Sequence, residues 1–144
     1  MRPMTLLLSV VLMTTAGLAQ STPSQNPAQS APSYDDTVHY LQERLEGSLV
    51  ATGHCSFTYN NLSFFVPHLA PRVSWYEQGY GKYGRLECLN GAKCITRDWH
   101  ERETAAAKCL LSVKGDANLS RVEKAWSHLI DLCGGGAAKP EDLF

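Results

Sequence analysis

The residues of this sequence with the greatest chemical potential are its five cysteines. They are Cys55, Cys88, Cys94, Cys109 and Cys133. In an oxidising compartment cysteines tend to pair, and five of them allow two disulfides and one remaining thiol. The spacing does not fix which cysteines pair, so all five are disulfide candidates and any one could supply the free thiol.

A zinc site with three thiolates and one imidazole could be drawn from Cys88, Cys94, His100 and Cys109. The spacings are C-x₅-C and H-x₈-C, which differ from the C-x₂₋₄-C arrangement that presents two thiolates to one ion. Disulfides also compete for these thiols after export. We therefore expect no bound metal and no cofactor.

Acid–base chemistry has two candidate locations. His54 precedes Cys55, but neighbouring residues of a strand point to opposite faces, so His54 is badly placed to activate that thiol. A second polar group lies in one segment: Asp98, His100, Glu101 and Glu103. Nothing apolar nearby would raise a carboxyl pKa, which favours a solvated turn. The sequence therefore predicts no catalytic residue.

Residues 79–84 read GYGKYG and match the pattern G-x-G-x-x-G. A phosphate-binding loop of this type opens a helix within a βαβ unit, whereas the following GRLECL predicts a strand. We therefore expect a glycine-rich hairpin loop. Aromatic and basic side chains on such a loop are well suited to contact a partner, and the candidate binding residues are Tyr76, Tyr80, Lys82 and Tyr83.

The element that must support these residues is an amphipathic helix over 119–133. Val122, Ala125, Trp126, Leu129, Ile130 and Cys133 form one apolar stripe. Ser120 and Glu123 predict a capping box, and the glycines at 134–136 predict the stop. On the polar side, His128 and Asp131 are spaced to interact along the helix surface.

Ahead of that helix the chain alternates between apolar and polar residues. A first helix is expected over 34–46, a hairpin around Asn60-Asn61, and a strand that starts at about Lys108. The sum predicts an α+β fold: an N-terminal helix, about six antiparallel strands in a curled sheet or partly open barrel, and the C-terminal helix packed on it.

Asn90-Gly91 is typical of a two-residue type I′ hairpin turn. In that register Cys88 and Cys94 point to opposite faces of the ribbon. A Cys88–Cys94 disulfide is therefore expected to be less favourable than the short separation suggests, unless a three-residue loop forms instead.

Residues 1–19 have the features of a secretory signal peptide: Arg2, an apolar run from Leu6 to Met13, and small residues at Gly17 and Ala19. Residues 20–33 are uncharged and polar, which predicts a flexible linker. We expect one folded domain over 34–136, a flexible tail over 137–144, no integral membrane segment after signal removal, and a secreted or periplasmic location.

The charge is almost balanced. Without Arg2 the chain has 12 basic and 14 acidic residues and no block of either sign. Near-neutrality argues against nucleic acid as a partner, which leaves a protein or a small molecule.

Two stretches resemble an uncharacterised family of small exported bacterial proteins. They are the LEC…KCI segment and the terminal R-V-x-K-A-x-x-H-L-I-x-L-C-G-G at 121–135. The order of elements is also similar to pleckstrin-homology-like barrels, in which a C-terminal helix covers one end of a bent sheet. The resemblance implies a fold and no activity.

These observations favour an exported, non-catalytic binding module that acts through a sheet edge or the tyrosine-rich loop. Two alternatives remain open: a small secreted hydrolase or thiol enzyme that uses an unpaired cysteine, and an inhibitor of an extracellular enzyme. A reactive, accessible thiol would favour the enzyme, whereas a buried and inert thiol would favour the binding module.

Overall fold

The computed structural model describes residues 30–99 and 102–134, with the backbone alone at 99, 102 and 103. The predicted signal peptide, most of the linker and the tail lie outside the described residues, as do His100 and Glu101. The helices are α1 (Tyr34–Arg44) and α2 (Leu119–Leu132). The strands are β1 (Leu45–Glu46), β2 (Leu49–Gly53), β3 (Ser56–Tyr59), β4 (Leu62–Phe65), β5 (Ser74–Gln78), β6 (Gly81–Glu87), β7 (Ile95–Trp99), β8 (Arg102–Ala106) and β9 (Lys108–Val113).

The strands form two antiparallel sheets. The four-stranded sheet has the order β1-β9-β6-β5, and the five-stranded sheet has the order β2-β3-β4-β7-β8. The predicted α+β class is confirmed, but the described part of the chain has nine strands in two sheets rather than about six in one. No closed barrel forms among these strands, and the chain crosses from one sheet to the other four times. None of the described helices is long and apolar enough to cross a membrane.

Helix α1 begins with a capping box in which Ser33 and Asp36 bond each other's backbone N–H groups. Val38 and Leu41 face the core. The helix ends at Arg44, two residues earlier than predicted, because Leu45 and Glu46 pair with β9 instead.

Helix α2 matches the predicted apolar stripe: Val122, Trp126, Leu129 and Ile130 are buried. Its N-cap differs from the prediction. The Asn118 side chain accepts a hydrogen bond from the backbone N–H of Arg121 at 3.1 Å, so the cap lies two residues before Ser120.

Trp126 of α2 lies in the core, where its ring packs between an aromatic ring of each sheet. Its centroid is 6.3 Å from that of Phe64 in β4 and 6.4 Å from that of Trp75 in β5. Trp126 is only 1% exposed. Helix α2 therefore covers both sheets at once, as an amphipathic C-terminal helix is expected to do.

Two disulfides are present, Cys55–Cys133 and Cys88–Cys94, and Cys109 is a buried free thiol. The expectation that Cys88 and Cys94 would not readily pair is wrong. The residues between them form a 3₁₀ turn over Leu89–Gly91, and β6 and β7 enter different sheets instead of forming a ribbon. The two cysteines therefore flank a crossing between sheets.

The two disulfides close loops of very different length, with sequence separations of 78 and 6. Since a longer loop removes more entropy from the unfolded chain, replacing Cys55 and Cys133 by alanine should lower the free energy of unfolding by about 4 kcal/mol. The same change at Cys88 and Cys94 should cost about 2 kcal/mol. Urea unfolding of the two double variants under non-reducing conditions measures the difference. An equal or reversed order would contradict this assignment of the long-range connection.

Candidate functional site

The predicted tyrosine-rich loop is a β-hairpin made by β5 and β6. Gln78 pairs with Gly81, which leaves Gly79 and Tyr80 as a two-residue turn. Gly79 has φ +61°, a left-handed backbone conformation that glycine adopts without strain. The G-x-G-x-x-G segment thus opens a strand rather than a helix and lacks the helix terminus that binds phosphate in a dinucleotide site.

Because side chains alternate along a strand, the predicted binding residues lie on opposite faces of the hairpin. Tyr76 and Tyr83 are directly paired, and they point to the solvent side of the four-stranded sheet. Lys82 points the other way, and its Nζ donates hydrogen bonds to the carbonyl oxygens of Gly115 and Ala117, both at 2.8 Å. Lys82 therefore holds the β9–α2 connection and does not belong to the exposed aromatic surface.

We call the outward cluster of Tyr76, Tyr83, Arg85 and Leu110 the tyrosine face. The two phenol rings have centroids 5.7 Å apart. The Arg85 guanidinium lies over the Tyr76 ring, 5.7 Å from its centroid, a cation–π arrangement. Leu110 lies opposite Arg85 on β9 and is 47% exposed.

A shallow depression of about 410 Å³ extends the tyrosine face towards the hairpin turn, where Gln78 and Gly79 line it. Tyr80 sits at the tip of the turn and is fully exposed. The surface thus combines aromatic rings, a cation and an aliphatic side chain on strands with a fixed register. Such a surface can bind by stacking and by charge-assisted hydrogen bonding.

Two glycines of the motif make room for aromatic rings, one on each side of β6. A Cβ atom at Gly81 would collide with the Tyr83 phenol, so glycine lets that ring lie along the strand. A Cβ atom at Gly84 would collide with the Trp75 indole, which packs over the strand on the core side. The motif therefore serves ring packing on both faces of the hairpin.

The free thiol is not placed for nucleophilic chemistry. Cys109 is buried on β9, and desolvation raises the pKa of its thiol to about 11 against a smaller lowering by the charge of Arg97. A thiol that stays protonated near neutral pH is a poor nucleophile.

The other candidate chemistry is also changed by the fold. Cys55 is in a disulfide, and the His54 ring packs against Tyr34 with centroids 4.9 Å apart. Cys88 and Cys94 are bonded to each other, so they are not available as zinc ligands. Within residues 30–99 and 102–134 no group of three or more His, Cys, Asp or Glu side chains could hold a metal ion.

Arg85 and Leu110 were not identified from the sequence. Arg85 is two residues after Tyr83, and reading GKYGRLE as a strand would have placed both on one face. Leu110 gives no such signal, because it reaches the face through the pairing of β6 with β9, 25 positions after its partner Arg85.

The packing of the Trp75 ring against Gly84 can be tested with the variant Gly84→Ala. The added methyl group should displace the indole from the core and destabilise the protein by about 1–3 kcal/mol. Gly115→Ala is the matched control, since a Cβ there meets nothing within 4 Å and the backbone is not left-handed. Urea unfolding compares the two variants; equal stabilities would rule out the described contact.

Comparison of the chain with protein-family models, with curated proteins and with solved structures found no match. The resemblances to small exported bacterial proteins and to pleckstrin-homology-like barrels stay predictions.

Proposed function

We propose that this protein is an exported, non-catalytic binding domain that contacts an extended segment of a partner protein through the tyrosine face. The observation that carries the proposal is the packed, solvent-facing cluster of Tyr76, Tyr83 and Arg85 on a sheet whose other side is core. Tyrosine and arginine contribute most to the energy of many protein interfaces. Rings that are already packed together lose little entropy on binding.

The free edge beside this face supports an extended partner. Strand β5 is the outer strand of the four-stranded sheet. Because Gln78 and Tyr76 form the hydrogen-bonded pairs with β6, the backbone N–H and C=O groups of Trp75 and Glu77 point away from it. An added strand could bond these groups while its alternate side chains contact Tyr76.

Two further observations support the non-catalytic and exported character. Cys109 is buried and protonated, which disfavours the thiol enzyme. The signal-like residues 1–19 and the two disulfides fit an oxidising compartment.

Random peptides displayed on phage and selected on the immobilised protein test the binding surface. Selected peptides should bind the Tyr76→Ala and Arg85→Ala variants at least about tenfold more weakly, a loss of about 1.4 kcal/mol. Tyr40→Ala is the matched control, because Tyr40 carries its own arginine, Arg44, at 5.5 Å on helix α1. Peptides that lose affinity equally for Tyr40→Ala, or that ignore all three changes, would contradict the proposal.

The inert character of Cys109 gives an independent prediction. With a pKa of about 11 instead of the ordinary 9.0, the thiolate fraction at about pH 8 falls about a hundredfold, so Ellman's reagent should react at least that much more slowly than in guanidinium. Absorbance of the released thiolate measures both rates. Comparable rates in the folded and unfolded protein would favour a thiol enzyme instead.

A further inference from the structure

A groove of about 480 Å³ runs between helices α1 and α2. We call it the helix groove. Its floor contains Thr37 and Tyr40 of α1 and Ala125 of α2. The volume falls within the range of about 300–1,000 Å³ that is usual for small-molecule sites. The helix groove shares no residue with the tyrosine face.

The two helices run antiparallel, which gives the groove two distinct ends. At one end, His128 Nε2 hydrogen-bonds the carbonyl oxygen of Pro32 at 2.8 Å, and this contact replaces the predicted pairing of His128 with Asp131. At the other end, the backbone N–H of Lys114, which precedes α2, donates to the carbonyl oxygen of Arg44 at 2.9 Å. Between the levels of His128 and Arg121 the helix rises about 10 Å.

Most of the charged side chains of the groove are cations, and they lie towards the end near Tyr40 and Arg44. Arg121 and Lys124 line the groove and are exposed, and among the described residues neither has a carboxylate within ion-pair distance. Arg44 lies 5.5 Å from the centroid of the Tyr40 ring. Three cations therefore lie near one end of an apolar channel.

The acidic side chain that lines the groove, Asp36, is already hydrogen-bonded to Ser33. Its carboxylate accepts hydrogen bonds from the Ser33 hydroxyl at 2.7 Å and from the Ser33 backbone N–H at 3.2 Å. These bonds, the hydroxyl first, lower the pKa of Asp36. Asp36 thus serves the α1 cap and leaves Arg121 and Lys124 available for an external anion.

We propose that the helix groove binds a single-chain amphiphilic carboxylate of the fatty-acid type. The carboxylate accepts hydrogen bonds from Arg121 and Lys124, where the guanidinium fork matches its two oxygens. The alkyl chain lies over Ala125 and Thr37 towards Pro32 and removes their apolar surface from water. A ligand that carries only the charge or only the chain satisfies half of the site.

Isothermal titration with octanoate, octanol and acetate tests this combination. Octanoate should bind with a submillimolar dissociation constant, octanol at least about tenfold more weakly, and acetate without detectable heat. Absence of octanoate binding up to about 1 mM, or equal affinities for octanoate and octanol, would overturn the proposal.

Three variants locate the binding. The double variant Arg121→Gln, Lys124→Gln should weaken octanoate binding at least about tenfold and leave octanol unchanged. Ala125→Phe fills the groove and should abolish binding of both ligands. Lys108→Gln, on the four-stranded sheet beside Glu87, should change nothing. Circular dichroism confirms that each variant is folded, so unchanged octanoate affinity in the first two variants would place the ligand elsewhere.

Discussion

The packing of Trp126 between the two sheets is the interaction on which the rest of the molecule depends. Its indole contacts Phe64 from one sheet and Trp75 from the other, so removal of this one ring would take away an aromatic contact with each sheet at once. The Cys55–Cys133 disulfide fixes the end of the same helix to the turn between β2 and β3. Both candidate surfaces depend on this arrangement. Trp75 backs the hairpin that carries the tyrosine face, and Ala125, next to Trp126, lies in the floor of the helix groove.

The chain changes sheet four times, and three of these crossings, β4–β5, β6–β7 and β8–β9, meet at one well-bonded corner. The Cys88 backbone N–H donates to the carbonyl oxygen of Ala107, where the chain passes from β8 to β9, and Leu69 bridges to Cys88 on the other side. Away from this corner the Tyr59 hydroxyl joins the sheets: it accepts from the Ser112 backbone N–H at 3.0 Å and donates to the carbonyl oxygen of Glu46. Buried polar contacts of this kind fix the relative position of the two layers where apolar packing alone would permit sliding.

Local patterns predicted both helices and several of the strands, but neither the number of strands nor their pairing. The α2 stripe, the Asn60-Asn61 turn and the start of β9 at Lys108 follow from periodicity and turn chemistry. Asn90 and Gly91 also adopt the left-handed backbone that their types favour, with φ of 53° and 70°. However, a turn preference does not determine which strands pair, and β6 pairs with β5 and β9 rather than with β7. The sequence therefore predicted only part of the tyrosine face. The helix groove could not be predicted from either helix alone, because the residues that build it are about 85 positions apart in the chain.

The hairpin of β5 and β6 uses its two sides for different purposes, with Trp75 inside and the tyrosines outside. Because side chains alternate along a strand, loss or gain of a single residue within β6 between Lys82 and Gly84 would exchange the two faces of the strand beyond that point. Core positions would then be offered to solvent while phenols and Arg85 were forced inward. Single-residue insertions and deletions in this segment are therefore more disruptive than substitutions at its solvent-facing positions.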